Sequence, residues 1–211
     1  MTHYNYIVIE GNIGAGKTSL ATMIANQFNA KLILEQFEEN SFLPKFYKEP
    51  DKYAFPLELS FLAERYQQLK AQLISQDLFK NFVIADYFID KSLIFAQKNL
   101  PEDEYSLYSK LFNIINPTLP KPELLVYLYV NIDRLKSNIK HRGRSYEQDI
   151  KAEYLEKIQA GYFEYIKHIP ESRILIIDIN TIDFVNNAAD YQILLDLIFK
   201  EYPKGIHRIS L

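Results

Sequence analysis

Short, continuously apolar runs alternate along this chain with longer segments in which apolar residues recur every three or four positions. Continuous runs are typical of buried parallel strands, and the three-to-four spacing is typical of amphipathic helices. The runs predict five strands, at 4–10, 30–34, 82–85, 123–130 and 173–178. This alternation favours an α/β fold in which a five-stranded parallel sheet carries helices on both faces.

The segments between the runs predict the helices. The longest covers 52–77, where Leu59, Leu62, Leu69 and Leu73 form one apolar stripe. The other predicted helices cover 17–28, a short part of 38–50, 88–98, 103–115, 131–142, 148–168 and 187–201. We see no internal repeat or linker, so residues 1–211 are predicted to form a single domain.

A glycine-rich turn follows the first strand and opens the first helix. Its sequence is Gly11-Asn12-Ile13-Gly14-Ala15-Gly16-Lys17-Thr18, which has the spacing of a phosphate-binding loop. In such a loop the backbone N–H groups and the helix N-terminus face the phosphate oxygens. Lys17 can reach the β- and γ-phosphates, and the Thr18 hydroxyl can ligate the Mg²⁺ that accompanies a nucleotide.

Two acidic residues follow the next two strands, Glu35 after the second and Asp86 after the third. Ligands of parallel α/β sheets bind outside the carboxyl ends of the strands, so these groups and the phosphate loop should meet at one edge. Phosphates beside two carboxylates predict phosphoryl transfer. Glu35 is the candidate general base, with Glu38 and Glu39 as rivals. Asp86 is a candidate Mg²⁺ ligand or, alternatively, a helix N-cap.

Two arginines, Arg142 and Arg144, flank Gly143 on a basic turn. Guanidinium groups on such a turn can close over a transferring phosphoryl group, which predicts a lid at about 140–148. The alternative reading is a solvated basic loop.

The composition narrows the set of possible functions. The net charge is −3 and no long basic run occurs, which disfavours a nucleic-acid partner. No apolar run approaches the roughly 20 residues of a membrane span. The sequence contains no cysteine, so disulfides and thiol catalysis are excluded and we expect a cytoplasmic location.

Together these residues resemble the deoxyribonucleoside kinase family, whose members phosphorylate the 5′-hydroxyl of a deoxyribonucleoside with ATP. The resemblance extends from about residue 4 to about residue 185. Beyond the phosphate loop and Glu35, the motifs that carry it are 46–50 (Phe-Tyr-Lys-Glu-Pro), Phe55, Arg65, 142–144 (Arg-Gly-Arg), Glu147 and 153–157 (Glu-Tyr-Leu-Glu-Lys). It implies Mg²⁺ as cofactor and a homodimer formed through helices beside the sheet.

The resemblance also implies roles for individual residues. Glu35 would take the proton of the 5′-hydroxyl, and Tyr47 and Glu147 would bind the sugar 3′-hydroxyl. Arg65 would lie in the nucleobase pocket, near Phe61. Arg142 and Arg144 would form the lid, and the loop that holds the adenine of ATP would include Asp178, Asn180, Asp183 and Phe184.

Three departures from the family pattern change these expectations. Glu58 stands where the family often has Gln, and an ionised Glu only accepts hydrogen bonds. It therefore suits a purine: guanine directly, or adenine if Glu58 is protonated or Arg65 or Lys91 supplies a donor. The alternative is that Glu58 and Arg65 pair along their helix. Asp86 fits the acidic position after the third strand with a one-residue deletion, whereas an ungapped register would put Ala85 there. An expected lid arginine is Asn138.

Four other functions stay open on the sequence. A deoxynucleoside kinase of broader specificity would also accept deoxycytidine. A nucleoside monophosphate kinase would share the loop and the lid but needs extra cations for the acceptor phosphate. A GTP-dependent switch usually carries Asn-Lys-x-Asp after a strand, which this chain lacks. A regulatory ATP-binding module would not need the paired arginines.

Overall fold

Residues 3–36, 40–74 and 77–211 are described in the computed structural model. The strands are β1 (Tyr6–Gly11), β2 (Lys31–Ile33), β3 (Val83–Ala85), β4 (Leu124–Tyr129), β5 (Arg173–Asp178) and β6 (Gly205–Ser210). The helices are α1 (Lys17–Phe28), α2 (Leu43–Lys48), α3 (Pro50–Ile74), α4 (Lys91–Asn99), α5 (Glu102–Ile115), α6 (Ile132–Arg142), α7 (Ala152–Lys167) and α8 (Ala188–Ile198). Single 3₁₀ turns cover Asn116–Thr118 and Ser145–Glu147.

All the strands are parallel and lie in the order β2-β3-β1-β4-β5-β6. Side chains of α1, α6 and α8 cover one face of the sheet, and those of α3, α4 and α5 cover the other. β1 lies in the middle and is buried along its whole length, as the apolar run of residues 6–9 predicts, and the burial extends to Glu10. The predicted α/β architecture is therefore confirmed, and the phosphate loop leaves the sheet at its centre.

The prediction of five strands is wrong by one. β6 extends the sheet beside β5, with Ile174 opposite Ile206. The pattern of apolar residues does not predict this strand, because Ile206 and Ile209 are three positions apart and so face opposite sides of the sheet. The last helix is also shorter than predicted, since α8 ends at Ile198.

Two predicted helices differ at their ends in ways that matter for the site. α3 begins at Pro50 and is described as far as Ile74, and residues 75–76 of the predicted helix lie outside the described residues. The helix predicted from 88 begins at Lys91 instead, and residues 86–90 form a buried connection between β3 and α4. The two rival carboxylates Glu38 and Glu39 also lie outside the described residues.

Across the described ranges, none of the helices is both long and apolar enough to cross a bilayer. Even α3, the longest at 25 residues, interleaves its apolar positions with charged ones.

Candidate active site

The phosphate loop, residues 11–18, is tightly packed between β1 and α1. Gly14 and Gly16 have φ angles of +83° and +87°, a backbone region that side chains rarely adopt. A Cβ on Gly14 would lie 2.9 Å from Cγ1 of Ile139, and one on Gly16 would lie 3.0 Å from the Phe184 ring. Both positions therefore require glycine, as the motif predicts.

Two polar side chains brace this loop. The Lys17 ammonium donates to the carbonyl oxygens of Gly11 and Asn12, at 2.9 and 3.0 Å. Burial, with Lys91 nearby, lowers the pKa of Lys17 to about 8. Asn138 donates to the carbonyl oxygen of Gly14 at 2.9 Å. The residue that stands in place of an expected lid arginine thus contacts the loop from α6.

Asp86 connects the phosphate loop to the end of β2. Its Oδ2 accepts a hydrogen bond from the Thr18 hydroxyl at 2.5 Å, and its Oδ1 accepts from the backbone N–H of Glu35 at 2.8 Å. The side chain is buried. The alternative reading of Asp86 as a helix N-cap is wrong, because α4 begins five residues later, at Lys91.

Glu35 is a carboxylate whose side chain is only 11% exposed, and two cations hold it. Its Oε1 accepts from Nε and Nη2 of Arg65 at 2.9 and 2.7 Å, and its Oε2 accepts from the Lys91 ammonium at 2.5 Å. Burial alone would raise the pKa of Glu35, but Lys91 and Arg65 outweigh it and lower that pKa to about 2. Glu35 is therefore ionised at neutral pH.

Arg65 and Glu58 do not pair along α3, so that reading is wrong. The Arg65 guanidinium donates to Glu35 and, at 2.8 Å, to the Ser92 hydroxyl, and it lies over the Phe61 ring. Glu58 instead accepts through Oε1 from Nδ2 of Asn99 at 2.7 Å. Within the described chain, its Oε2 has no hydrogen-bond partner.

A single cavity, called here the nucleoside cavity, collects these groups. Every residue predicted to act in catalysis or in nucleoside binding lines it: Lys17, Glu35, Tyr47, Glu58, Phe61, Arg65, Asp86, Lys91, Arg142, Arg144 and Glu147. Leu43, Phe46, Leu57, Phe95 and Tyr154 supply much of its apolar wall. The sequence therefore located the members of one cavity from positions more than a hundred residues apart.

The basic turn closes over one side of the nucleoside cavity. α6 ends at Arg142, the following Gly143 turns the chain with a φ of +75°, and the 3₁₀ turn over 145–147 comes next. Arg142 forms an ion pair with Oε2 of Glu147, and Arg144 lies 3.5 Å from Oε1. Both arginines thus face the buried carboxylate and not only solvent. The Tyr47 ring stacks on Tyr146 of the same turn.

A second depression, called here the nucleotide groove, lies on the other side of the phosphate loop. It is lined by residues 14–19, Arg134, Asn138, His141, the two turn arginines and 183–186. Asp183 and Phe184 of the predicted adenine loop therefore line it. Asp178 and Asn180 do not: Asp178 accepts from Asn180, whose Oδ1 accepts from the N–H of Asn131. They link the ends of β4 and β5.

Known proteins resemble this chain in sequence and in fold. The sequence model described as "Deoxynucleoside kinase" matches residues 7–202, nearly the full chain. The chain belongs to the deoxynucleoside kinase family. This kinase is 38% identical over 193 residues to the deoxyguanosine kinase of Bacillus subtilis (strain 168), covering 89% of this chain and 92% of that one. It is 34% identical over 202 residues to the deoxyadenosine kinase of Dictyostelium discoideum, covering 93% and 79%.

Solved structures agree with the sequence relatives. The kinase superposes on the deoxyadenosine kinase from M. mycoides with bound dATP with a TM-score of 0.79 at 24% identity, covering 92% of this chain and 98% of that chain. A second structure of that protein, with dCMP and dCDP bound, gives 0.77 at 27% identity, covering 90% and 97%. The family and fold expected from the sequence are therefore confirmed, and the protein is an ATP-dependent deoxynucleoside kinase.

Sequence reasoning missed three polar residues of the kinase site. Ser92 receives Arg65, Asn99 holds Glu58, and Arg134 donates to the carbonyl oxygens of Ile179 and Ile182 beneath the nucleotide groove. Ser92 stands beside Lys91 in the stretch that follows the third strand, so proximity to that departure could have suggested it. Asn99 and Arg134 lie inside ordinary amphipathic helices, where no pattern distinguishes them.

Proposed function

We propose that this kinase transfers the γ-phosphate of ATP to the 5′-hydroxyl of a purine deoxynucleoside, deoxyadenosine or deoxyguanosine, giving the 5′-monophosphate. The position of Glu35 carries this proposal. Its backbone is tied through Asp86 to Thr18 of the phosphate loop, and its side chain lines the cavity that also contains Glu58. The names of the relatives, deoxyguanosine kinase and deoxyadenosine kinase, support a purine.

The charges around the acceptor favour a neutral nucleoside over a nucleoside monophosphate. A monophosphate acceptor needs cations for its own phosphate. Arg65 and Lys91 are instead bound to Glu35, and Arg142 and Arg144 face Glu147. The sugar of an uncharged nucleoside needs hydrogen bonds only, and we assign its 3′-hydroxyl to Tyr47 and Glu147.

The transfer forms one bond and breaks another. The 5′-oxygen attacks the γ-phosphorus, the bond from that phosphorus to the β,γ-bridging oxygen breaks, ADP leaves, and the hydroxyl proton passes to Glu35. A carboxylate with a pKa of about 2 is a weak base. Phosphoryl transfer passes through a loose transition state that depends strongly on positioning, so Glu35 orients the hydroxyl as well as accepting its proton.

The residues beside the phosphate loop fit a magnesium ion brought by ATP. Mg²⁺ prefers oxygen ligands and usually takes one or two from the protein, the rest from phosphates and water. The Thr18 hydroxyl and the Asp86 carboxylate, 2.5 Å apart, would supply such oxygens. When bound, the ion neutralises charge on the β- and γ-phosphates.

The remaining assignments concern the bound nucleotide. Arg142 and Arg144 lie at the boundary of the nucleoside cavity and the nucleotide groove, and both line each of them. That position supports a role over the transferring phosphoryl group. Asp183 and Phe184 line the groove and are the residues of the predicted adenine loop that we retain for the adenine.

A second candidate is a broader kinase that also uses deoxycytidine. A protonated Glu58 presents a donor beside an acceptor, and both adenine and cytosine offer an amino group beside a ring nitrogen that accepts. Burial raises the pKa of Glu58 to about 7, so the protonated form is populated at neutral pH. The structure of the M. mycoides deoxyadenosine kinase with dCMP supports including this nucleoside.

The proposed homodimer has a candidate surface on α5. Leu107, Leu111 and Ile114 recur at intervals of four and three residues and are 52%, 38% and 71% exposed. Such a stripe lies on one side of a helix and suits a second copy of the chain. Sedimentation velocity should give a dimer for the natural protein and a monomer for Leu111→Glu. A natural protein that sediments as a monomer would remove this part of the proposal.

Steady-state kinetics with ATP and Mg²⁺ test the proposed function. The acceptors are the four natural deoxynucleosides and dAMP, with release of ADP as the measured quantity and a reaction without acceptor as the control. We expect the highest kcat/KM for deoxyadenosine or deoxyguanosine. A higher value for thymidine or for dAMP would overturn the proposal, and ADP release that ignores every acceptor would indicate a nucleotide switch.

A further inference from the structure

Glu58 combines burial with an incomplete set of hydrogen bonds. It is 1% exposed and lines the nucleoside cavity. Asn99, at the end of α4, donates to its Oε1, and the same Asn99 amide lies 3.2 Å from the Tyr154 hydroxyl. Among the described residues, 3–36, 40–74 and 77–211, Oε2 has no hydrogen-bond partner. A buried oxygen without a hydrogen-bond partner lowers the stability of a protein unless a ligand forms a hydrogen bond with it.

The charges around Glu58 come from every element that packs on it, and they leave it close to half-protonated at neutral pH. Burial raises its pKa to about 7, against the opposing effects of the Asn99 hydrogen bond and of Arg65 and Lys91. The groups that face or contact Glu58 are Arg65 on its own helix, Lys91 and Asn99 on α4, Tyr108 on α5, Tyr154 on α7 and Glu35 after β2.

The two protonation states of Glu58 recognise different purines. As a carboxylate it only accepts hydrogen bonds, which suits the adjacent ring N–H and amino group of guanine. As a carboxylic acid it donates through one oxygen and accepts through the other, which suits the ring nitrogen and amino group of adenine. Because the Asn99 amide donates to Oε1, that oxygen stays the acceptor and the proton resides on Oε2.

Building on the proposed function, we propose that the protonation of Glu58 selects between deoxyadenosine and deoxyguanosine, and that Asn99 is the positioning residue that sets the pH at which the selection changes. The acid form takes deoxyadenosine, and the carboxylate form takes deoxyguanosine. The kinase is therefore a purine kinase whose preference moves with pH across the neutral range.

Internal competition tests this selection in the natural enzyme. Equal concentrations of deoxyadenosine and deoxyguanosine share one reaction with ATP and Mg²⁺, and initial yields of dAMP and dGMP are separated by chromatography between pH 5.5 and 8.5. Any effect of pH on phosphoryl transfer itself acts on both products and cancels in their ratio. Since protonation changes about tenfold in each direction over two pH units around 7, the dAMP:dGMP ratio should fall by on the order of 100-fold from pH 6 to pH 8.

Three variants test whether the pH dependence of the product ratio comes from Glu58 and not from another titrating group. Glu58→Gln keeps a donor and an acceptor at every pH, so its ratio should stay flat and favour dAMP. Asn99→Ala removes a hydrogen bond that lowers the pKa of Glu58, so the midpoint of the ratio should move to higher pH. Gln97→Ala, at an exposed position of the same helix, should leave the midpoint unchanged.

The outcomes are distinct for the inference and for the proposed function. A ratio independent of pH in the natural enzyme, or the same pH dependence in Glu58→Gln, overturns the inference while both purines remain substrates. An Asn99→Ala midpoint equal to the natural one overturns the role of Asn99. Failure to phosphorylate either purine at any pH overturns the proposed function as well. Whether the ratio depends on pH is decided by the natural enzyme alone, so the inference stays testable if a variant fails to fold.

Discussion

The ammonium of Lys91 lies 2.5 Å from Oε2 of Glu35, although the two residues are 56 positions apart in the sequence. This contact joins the first residue of α4 to the segment after β2. Arg65 binds the other oxygen from α3, so three elements converge on one carboxylate. The side chain of Glu35 is therefore fixed before any substrate enters.

Replacing Glu35 by Gln should lower kcat by about 10²–10⁴-fold, as for the loss of a group that accepts a proton. The affinity for ATP should change little, because the phosphate loop keeps its own contacts. Single-turnover rates and ATP binding measured by calorimetry check both points. Near-normal turnover in this variant would assign the base to another residue. Circular dichroism should accompany the assay, since Arg65 and Lys91 lose a partner.

Replacing Lys91 by Met should lower the free energy of unfolding by about 2 kcal/mol, because Glu35 loses a hydrogen bond between charged groups and keeps only Arg65 as its partner. The matched control is Lys98→Met on the same helix. Lys98 pairs with Glu164, which is half exposed, so its loss should cost at most about 1 kcal/mol. Urea titrations of both variants make the comparison, and equal losses would contradict the buried pair at Glu35.

Replacing Arg142 by Ala should lower kcat by about 10²-fold and raise KM less, if the guanidinium acts mainly on the transition state. Lys140→Ala, an exposed cation of the same helix, is the control and should leave kcat unchanged. A raised KM with an unchanged kcat would instead indicate that Arg142 binds the ground state and the transition state equally. Loss of the Arg142 ion pair to Glu147 also predicts weaker binding of the nucleoside 3′-hydroxyl, measurable with 2′,3′-dideoxynucleosides.

The raised pKa of Glu58 predicts how stability changes with pH. A carboxyl group whose pKa in the folded state exceeds its unfolded value stabilises the fold below the unfolded value, and this contribution is lost as pH rises towards about 7. Between pH 5.5 and 8 the natural protein should lose about 2 kcal/mol more unfolding free energy than Glu58→Gln. Urea unfolding at the two pH values measures this difference. The exposed Glu102→Gln should behave as the natural protein does.

The sequence predicted those parts of the site that local patterns determine. The phosphate loop follows from glycine spacing, and Glu35 and Asp86 follow from the rule that parallel strands gather their carboxyl ends at one edge. Glu58 was found because a carboxylate is unusual where an amide is expected. Each of these inferences needed only a short window of sequence or the family resemblance.

The parts that sequence did not predict depend on contacts between distant segments. The partner of Arg65 is decided by the packing of α3 against the ends of β2 and α4, so the nearer Glu58 on its own helix was a misleading candidate. Asn99 acquires its role only because α4 crosses α3 at Glu58. Apolar and polar residues do not alternate along the sequence of β6. The strand is held by its pairing with β5, which the pattern of one segment does not show.

The short helix α4 carries a partner for each of two acids, the Lys91 ammonium for Glu35 and the Asn99 amide for Glu58. Lys91 is the first residue of α4 and Asn99 is the last, so they are separated by about 12 Å of rigid backbone. Substitutions at the Asn99 end of α4 can therefore change which deoxynucleoside is phosphorylated while the contacts of Lys91 at the other end are left intact. Enzymes with altered base choice are best sought by randomising this helix end, and not by rebuilding the cavity.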